Sequence, residues 1–314
     1  MQTYFEERVA ERYNRALQRG ELSFIESEVA HIEDKGIEFE IRIAPSLAKK
    51  PTGNLGAKDE LQQKPKPDPF LPYSQELFVQ EHGIYNILLN KFCVVPRHIV
   101  IATKDFEKQT DPLNPEDLES IWYCMMQIKS QPTVAFFNCG ELSGASQPHK
   151  HIQLIPLPND ARFAPPINAC IYEVQEFKKP GENFDIPKLP YVHHIALLDP
   201  QRLSGHHGHH GEVSQYLNDV FHSLLDAMIE GLHKQSFSIG RNPLSYNLIM
   251  THTWFMIVPR SREKYEQISV NSLGFAGMLL TRSEEELELV KNVGVLNVLE
   301  GVAISKQNAI MDEV

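Results

Sequence analysis

Apolar residues recur four apart at Phe5, Val9, Tyr13 and Leu17, with Gly20 just beyond, which predicts an amphipathic helix with a glycine stop. A second helical stretch is expected over residues 22–32. Ile37, Phe39, Ile41 and Ile43 then alternate with polar residues, as in a strand with one buried face. From residue 45 to 72 the periodicity gives way to Pro, Lys and Gly, as in Lys49-Lys50-Pro51-Thr52-Gly53 and Lys64-Pro65-Lys66-Pro67. Such a segment is a solvated connection or a basic flap. Strands are expected over 83–89, 92–95 and 99–102. Asn114-Pro115-Glu116-Asp117 offers a cap, a proline at the first helical position and acids in the first turn, so a helix opens there. Tyr216, Val220, Leu224, Met228 and Leu232, again four apart, predict a helix over 212–234. The last helix should start near Ser283, where Glu286 completes a capping box.

Tyr85-Asn86-Ile87-Leu88 leading to Val95-Pro96-Arg97 recurs as Tyr246-Asn247-Leu248-Ile249 leading to Val258-Pro259-Arg260. The likeness is either a duplicated half or a chance similarity between two strand pairs. Duplication favours one fused sheet over two independent domains.

Length alone, at 314 residues, permits one large domain or two of ordinary size. Lys and Arg number 30 against 41 Asp and Glu, a formal charge of −11. General attraction to nucleic acid or to an anionic membrane is therefore not expected, and any phosphate site must be local. No run approaches the roughly 18 apolar residues of a membrane span, and the charged first 19 residues lack a signal peptide's apolar stretch. A soluble, cytosolic protein is expected. Cys93, Cys124, Cys139 and Cys170 lie far apart without a Cys-x-x-Cys, so they read as reduced, mostly buried thiols.

The densest chemistry lies in Asn138-Cys139-Gly140-Glu141-Leu142-Ser143-Gly144-Ala145-Ser146-Gln147-Pro148-His149-Lys150-His151-Ile152-Gln153. In an extended chain His149, His151 and Gln153 share one face, while Lys150, Ile152 and Leu154 take the other. Polar groups on a buried face need partners. Three readings are open: satisfied or exposed histidines, metal ligands, or a neutral imidazole that attacks phosphorus. A metal lacks an obvious third ligand nearby. The small residues Gly144 and Ala145 let backbone amides approach an anion, and Ser146 and Gln147 add side-chain donors beside the candidate nucleophile.

This string resembles the active-site motif of the histidine-triad superfamily, and its transferase branch in particular, where glutamine replaces the third histidine. In detail it is similar to the diadenosine tetraphosphate phosphorylases of fungal type, also called ATP adenylyltransferases. Further likeness lies in Asn86 to Ile101, in Tyr246-Asn247 to Arg260 and in Asn271-Ser272-Leu273-Gly274-Phe275-Ala276-Gly277-Met278-Leu279-Leu280, and together these cover most of the chain. The resemblance implies an α+β fold, a mostly antiparallel sheet carrying helices. It implies one catalytic domain over 1–314, with a first half of about 1–180 holding the His-x-His-x-Gln strand and a second of about 181–314 completing the nucleotide site.

The same resemblance makes His151 the nucleophile, with His149 before it and Gln153 after it. It implies nucleotide contacts at Asn86, Ile87, Asn138, Gly144, Ala145, Ser146, Gln147, Gln153, Asn271, Ser272, Leu273 and Met278. Lys49, Lys50 and Arg282 are candidates for the positive charge that meets the phosphates. The implied reaction is reversible phosphorolysis of diadenosine tetraphosphate to ATP and ADP through an adenylyl-histidine, with ping-pong kinetics. The expected partners are small nucleotides and phosphate, not nucleic acid or membrane. No covalent cofactor is expected, but Mg²⁺ or another divalent cation should accompany the polyphosphate. The expected location is cytoplasmic, with the nucleus left open. Uridylyl transfer to hexose phosphates and non-catalytic dinucleotide binding are the alternatives. Ser204-Gly205-His206-His207-Gly208-His209-His210-Gly211 reads as a flexible loop rather than a metal site, and His193-His194 as structural strand residues. Trp254 is either a base-stacking residue or a core indole.

Overall fold

A computed structural model describes residues 4–46, 67–159, 163–204, 210–234 and 244–306. The first half contains α1 (Phe5–Gln18), β1 (Ser23–Phe24), β2 (Glu28–Asp34), β3 (Ile37–Ile43), β4 (Phe78–His82), β5 (Tyr85–Leu89), β6 (Phe92–Cys93), β7 (Ile99–Thr103), α2 (Pro115–Gln127), β8 (Thr133–Cys139), β9 (His151–Pro156) and α3 (Asn168–Val174). After it come β10 (Asn183–Phe184), β11 (His194–Leu197), α4 (Pro200–Leu203), α5 (His210–Lys234), β12 (Tyr246–Met250), β13 (Trp254–Pro259), β14 (Lys264–Tyr265), β15 (Ile268–Ser269), α6 (Ser272–Phe275), β16 (Met278–Thr281), α7 (Glu284–Val293) and α8 (Val295–Val302).

Nine strands form one antiparallel sheet in the order β10-β11-β13-β12-β8-β9-β7-β5-β4. Strands from before and after residue 180 meet at its centre, where β8 pairs with β12. The period of two divides every strand between two faces. On one face Ile87, Ile101, Ile152, Leu154, Phe137 and Leu248 form a core with residues of α1, α2 and α5. On the other, Val134, Phe136, Ile155, Ile249 and Met256 are covered by the small sheet β16-β3-β2 and by α6, α7 and α8. A third patch, Leu88, Val100 and Ala102, is covered by Phe70, Tyr73 and Phe78. The catalytic candidates lie on this second face.

The α+β architecture agrees with the expectation, and several local features arise from sequence. Asn114 accepts from Asp117 N–H at 2.8 Å and Asp117 accepts from Asn114 N–H at 2.8 Å, closing the predicted cap of α2. Ser283 caps α7, but the Glu286 carboxylate accepts from Arg282 N–H rather than from the cap residue. In α1 the inward stripe ends on Ala16 and Leu17 is exposed, because a spacing of four drifts from the helical period of 3.6.

Residues 22–32 are not helical. They form β1 and most of β2, which pairs with β3 through a tight turn at Lys35 (φ 49°) and Gly36 (φ 78°). Two successive positive φ angles suit the right-handed twist of a hairpin, and Ala30 and Ile32, two apart, meet the core from one side of the strand. The repeated Tyr-Asn blocks both form sheet strands, but their continuations diverge. Val258-Pro259 lie in β13 against β12, whereas Val95-Pro96-Arg97 turns, with Arg97 at φ 59°, and β5 pairs with β7 instead. All four cysteines are free and buried. Trp254 is a core indole whose Nε1–H donates to Asn168 at 2.8 Å. Among the described residues no helix is long and apolar enough to cross a membrane.

Candidate active site

Sheet register assembles the site. Asn86 on β5 lies opposite Ala102 on β7, and Ala102 opposite His151 on β9, so the three side chains share a row and a face. On the other side of His151, Asn138 of β8 lies opposite Asn247 of β12. Where β8 and β9 part beyond Phe136–Gln153, the Gln109 amide fills the gap. It accepts from His151 N–H at 2.8 Å and donates to the carbonyls of Asn138 (2.8 Å) and His151 (3.2 Å). That buried amide replaces the missing ladder bonds and fixes the backbone of the reacting strand.

The His151 ring is nearly fully buried, and its Nδ1–H donates to the His149 carbonyl at 2.8 Å. This assigns the tautomer and leaves the lone pair on Nε2, which no hydrogen bond engages among the described residues. Burial pushes the pKa down to about 4 against the bond to the His149 carbonyl, with the neighbouring His149 ring lowering it and Asp68 raising it. At neutral pH the ring is therefore neutral and nucleophilic. Gln153 comes next on the same face, half-buried, with its amide directed at His98, a histidine that burial likewise brings to about 4.

His149 is fully buried, 2.7 Å from the Asp68 carboxylate through Nδ1. Phe70 packs against both histidine rings, 5.5 Å from His149 and 5.3 Å from His151 between centroids, and Phe106 lies 5.4 Å from His149. On the opposite face Lys150 pairs with the buried Asp117 at 2.5 Å and with Glu107 at 3.3 Å, and Tyr85 donates to Asp117 at 2.8 Å. The alternation read from sequence holds through this strand.

The loop from Gly140 to Pro148 is braced from the second half of the chain. Ser245 Oγ accepts from Leu142 N–H at 3.2 Å, and the Ser143 carbonyl accepts from Asn247 Nδ2 at 2.9 Å and from Arg260 at 3.3 Å. A Cβ on Gly144 (φ 82°) would come within 2.6 Å of the Val270 carbonyl, so glycine is required by the backbone of 270–271 pressed against it. Asn138 Oδ1 accepts from Asn247 Nδ2 (2.8 Å) and from Ser272 N–H (3.0 Å). Arg260, 2 % exposed, donates to Asn247 Oδ1 and to the carbonyls of Val270, Arg262, Glu263 and Val302. Burial lowers its pKa to about 9.

The chain as a whole has known counterparts. The family model described as "Ap4A phosphorylase N-terminal domain" matches residues 1–173, and that described as "ATP adenylyltransferase C-terminal domain" matches 187–305. The chain belongs to the Ap4A phosphorylase family. Among members of that family, diadenosine 5',5'''-P1,P4-tetraphosphate phosphorylase 2 of Saccharomyces cerevisiae is 28% identical, over 90% of this chain and 88% of that protein. Protein APA1 of the same yeast is 26% identical, over 88% of this chain and 86% of its own. The crystal structure of yeast Ap4A phosphorylase Apa2 in complex with Ap4A superposes with a TM-score of 0.77 at 25% identity, covering 96% of this chain and 98% of that one.

Within this Ap4A phosphorylase fold, the residues anticipated from sequence separate into groups. Asn86, Asn138, His151 and Gln153 share one face of the sheet, and Asn86 Oδ1 is buried with no hydrogen-bond partner among the described residues. Ser146 is exposed and Gln147 half-buried in the loop, with Ala145 buried just before them. Asn271 caps α6 by accepting from Leu273 N–H at 3.0 Å, and Ser272 is buried against Asn138. The Ile87 side chain lies apart from these, in the helix-covered core, opposite His151, because its neighbour Asn86 takes the other face.

Met278 lines a separate cleft of about 140 Å³ with His31, Glu38, Glu40, Leu157 and Phe163. Leu157 is six residues along the chain from His151, or about 20 Å at strand rise. Arg282 is half-buried just after β16. Lys49 and Lys50 lie outside the described residues, as do residues 205–209 of the histidine cluster. Asp68, Phe70, His98, Gln109, Asn247 and Arg260 were not anticipated as parts of the site.

Proposed function

We propose that the protein cleaves diadenosine 5',5'''-P1,P4-tetraphosphate with inorganic phosphate to give ATP and ADP, reversibly, through an adenylyl group carried on His151. One observation carries this reading: the His151 ring is neutral, holds its proton at Nδ1 against the His149 carbonyl, and keeps Nε2 unengaged. The Nε2 lone pair attacks the α-phosphorus, and the bond from that phosphorus to the bridging oxygen breaks with its electrons leaving on ATP. An oxygen of inorganic phosphate then attacks the same phosphorus. The P–N bond breaks, its electrons return to Nε2, and ADP departs. Nδ1 keeps its proton throughout.

Gln153 donates and accepts hydrogen bonds but does no acid–base work near neutral pH. A polyphosphate leaves without a proton, and inorganic phosphate arrives already anionic, whereas water would need a base. An amide beside His151 therefore suits transfer to phosphate over hydrolysis. The orphaned Oδ1 of Asn86 is suited to accept from a ribose hydroxyl, and the Gly144 to Gln147 loop to donate to phosphate oxygens.

A divalent ion would accompany the polyphosphate, whose oxygens can supply its ligands. The expected location is the cytoplasm. No feature of the site favours uridylyl transfer or a purely binding role. The test is chromatography of products from diadenosine tetraphosphate, with and without phosphate, beside His151→Ala. ATP plus ADP that require both phosphate and His151 mean phosphorolysis, whereas ATP plus AMP without phosphate means hydrolysis.

A further inference from the structure

Both ring nitrogens of the buried His149 face oxygen. Nδ1 lies 2.7 Å from Asp68 Oδ2, and Nε2 lies 2.9 Å from Thr103 Oγ1 and 3.0 Å from the Thr103 carbonyl. The Thr103 hydroxyl gives its own proton to the Asp105 carbonyl at 2.8 Å, so toward Nε2 it can only accept. A carbonyl accepts, and so does a carboxylate. The ring satisfies all of these contacts when it carries both protons. A buried imidazolium needs a counter-charge, and Asp68, whose side chain is 23% exposed, supplies it directly.

Two connections run from this pair to His151. The His149 carbonyl takes the Nδ1 proton of His151 at 2.8 Å. The second Asp68 oxygen, Oδ1, accepts from Phe70 N–H at 2.9 Å, and the Phe70 ring packs on His151 at 5.3 Å, tilted 45°. We propose that Asp68 and His149 form a carboxylate–imidazolium pair that positions His151, holding its tautomer through the His149 backbone and seating Phe70 against the reacting ring. This inference rests on His151 being the nucleophile.

The pair also acts on the covalent intermediate. Once Nε2 bonds to phosphorus while Nδ1 keeps its proton, the His151 ring is cationic. Asp68 favours that charge and the His149 ring opposes it.

The test has a spectroscopic and a kinetic arm. In protein carrying ¹⁵N-histidine at neutral pH, both His149 ring nitrogens should resonate as protonated, assigned by their loss in His149→Gln. Asp68→Asn should lose that signature and slow adenylyl-enzyme formation, followed by intact-mass spectrometry after rapid quench, about 10- to 100-fold. Its KM should stay within about threefold, because a positioning residue acts on the step and not on ground-state binding. An unprotonated His149 nitrogen in the native chain overturns the proposal, since the proton would then reside on Asp68. So does an Asp68→Asn enzyme that adenylylates at the native rate. The native spectrum decides the first point even if the variant fails to fold. If His151→Ala still turns over while His149 shows both protons, the nucleophile assignment has failed and the ion pair has not.

Discussion

His151 and His193 are built alike. Each lies buried, each donates Nδ1–H to the carbonyl two residues earlier at 2.8 Å, and burial lowers the pKa of each. They differ at the other nitrogen. Nε2 of His193 accepts from Ile186 N–H at 2.8 Å, whereas Nε2 of His151 has no hydrogen-bond partner among the described residues. The same tautomer is therefore a structural peg just ahead of β11 and a candidate nucleophile at the start of β9, and a single backbone N–H makes the difference. Reactivity here arises from the nitrogen left unbonded, which no histidine count reveals.

The comparison can be broken at either end. The largest effect is expected from His151→Gln, which should lower turnover on the order of 10³-fold or more and abolish the mass adduct. Its unfolding free energy should stay within about 1 kcal/mol of the native chain, because the substitution nearly conserves volume. The reciprocal change, His193→Ala, should cost about 2–4 kcal/mol in denaturant unfolding through a cavity and the stranded Ile186 N–H. The adduct should still form at the native rate per folded molecule. If His193→Ala abolished the adduct in folded protein, the two histidines would not be separable as argued. A smaller, mixed effect is expected of Gln109→Leu, which removes all three bonds that span β8 and β9. Stability should fall by about 1–3 kcal/mol and the adenylylation rate by roughly tenfold.

The smallest effect is in pH. His98, His151 and His193 all have folded pKa values below the ordinary 6.5, so between about 4 and 6.5 the unfolded chain binds more protons. Their stabilising contribution is complete above pH 6.5 and shrinks as pH falls toward 4. Denaturant titrations between pH 5 and 7 should show this slope, and His98→Asn should reduce it. Over the same range His151 stays neutral, so single-turnover adenylylation should not lose rate to its protonation. A rate that halves near pH 6.5 in an otherwise folded enzyme would mean that His151 keeps its ordinary pKa.

Periodicity made much of this molecule legible. The stripe of α1, the cap of α2 and the alternation of β3 each derive from neighbours in sequence, and the period of two alone separates His151 and Gln153 from Ile152 and Leu154. The same rule, applied to Asn86, puts the Ile87 side chain on the opposite face of the sheet. The β2 strand is not legible because its Glu and Ala residues suit a helix locally, and the hairpin with β3 outweighs that preference. The remainder of the site is assembled by contacts across long separations: 42 residues from Gln109 to His151, 81 from Asp68 to His149 and 117 from Ser143 to Arg260. Asp68 lies in a proline-rich segment and Gln109 in a short connection, and neither carries a periodic signal. Arg260 is visible only as the end of a repeated block whose partner, Arg97, does something else.

The 140–148 loop is backed by residues that are synthesised last. Arg260 holds the Ser143 carbonyl and reaches the Val302 carbonyl at the end of α8. A chain leaving the ribosome presents His151 some 150 residues before the last of these partners emerges, an interval read directly from the numbering. During that interval the imidazole is present but the loop beside it has no backing, so the reactive centre is completed near the end of translation. A fragment released early would carry the motif without a braced site, and a truncated product would be inert toward nucleotides and not loosely active.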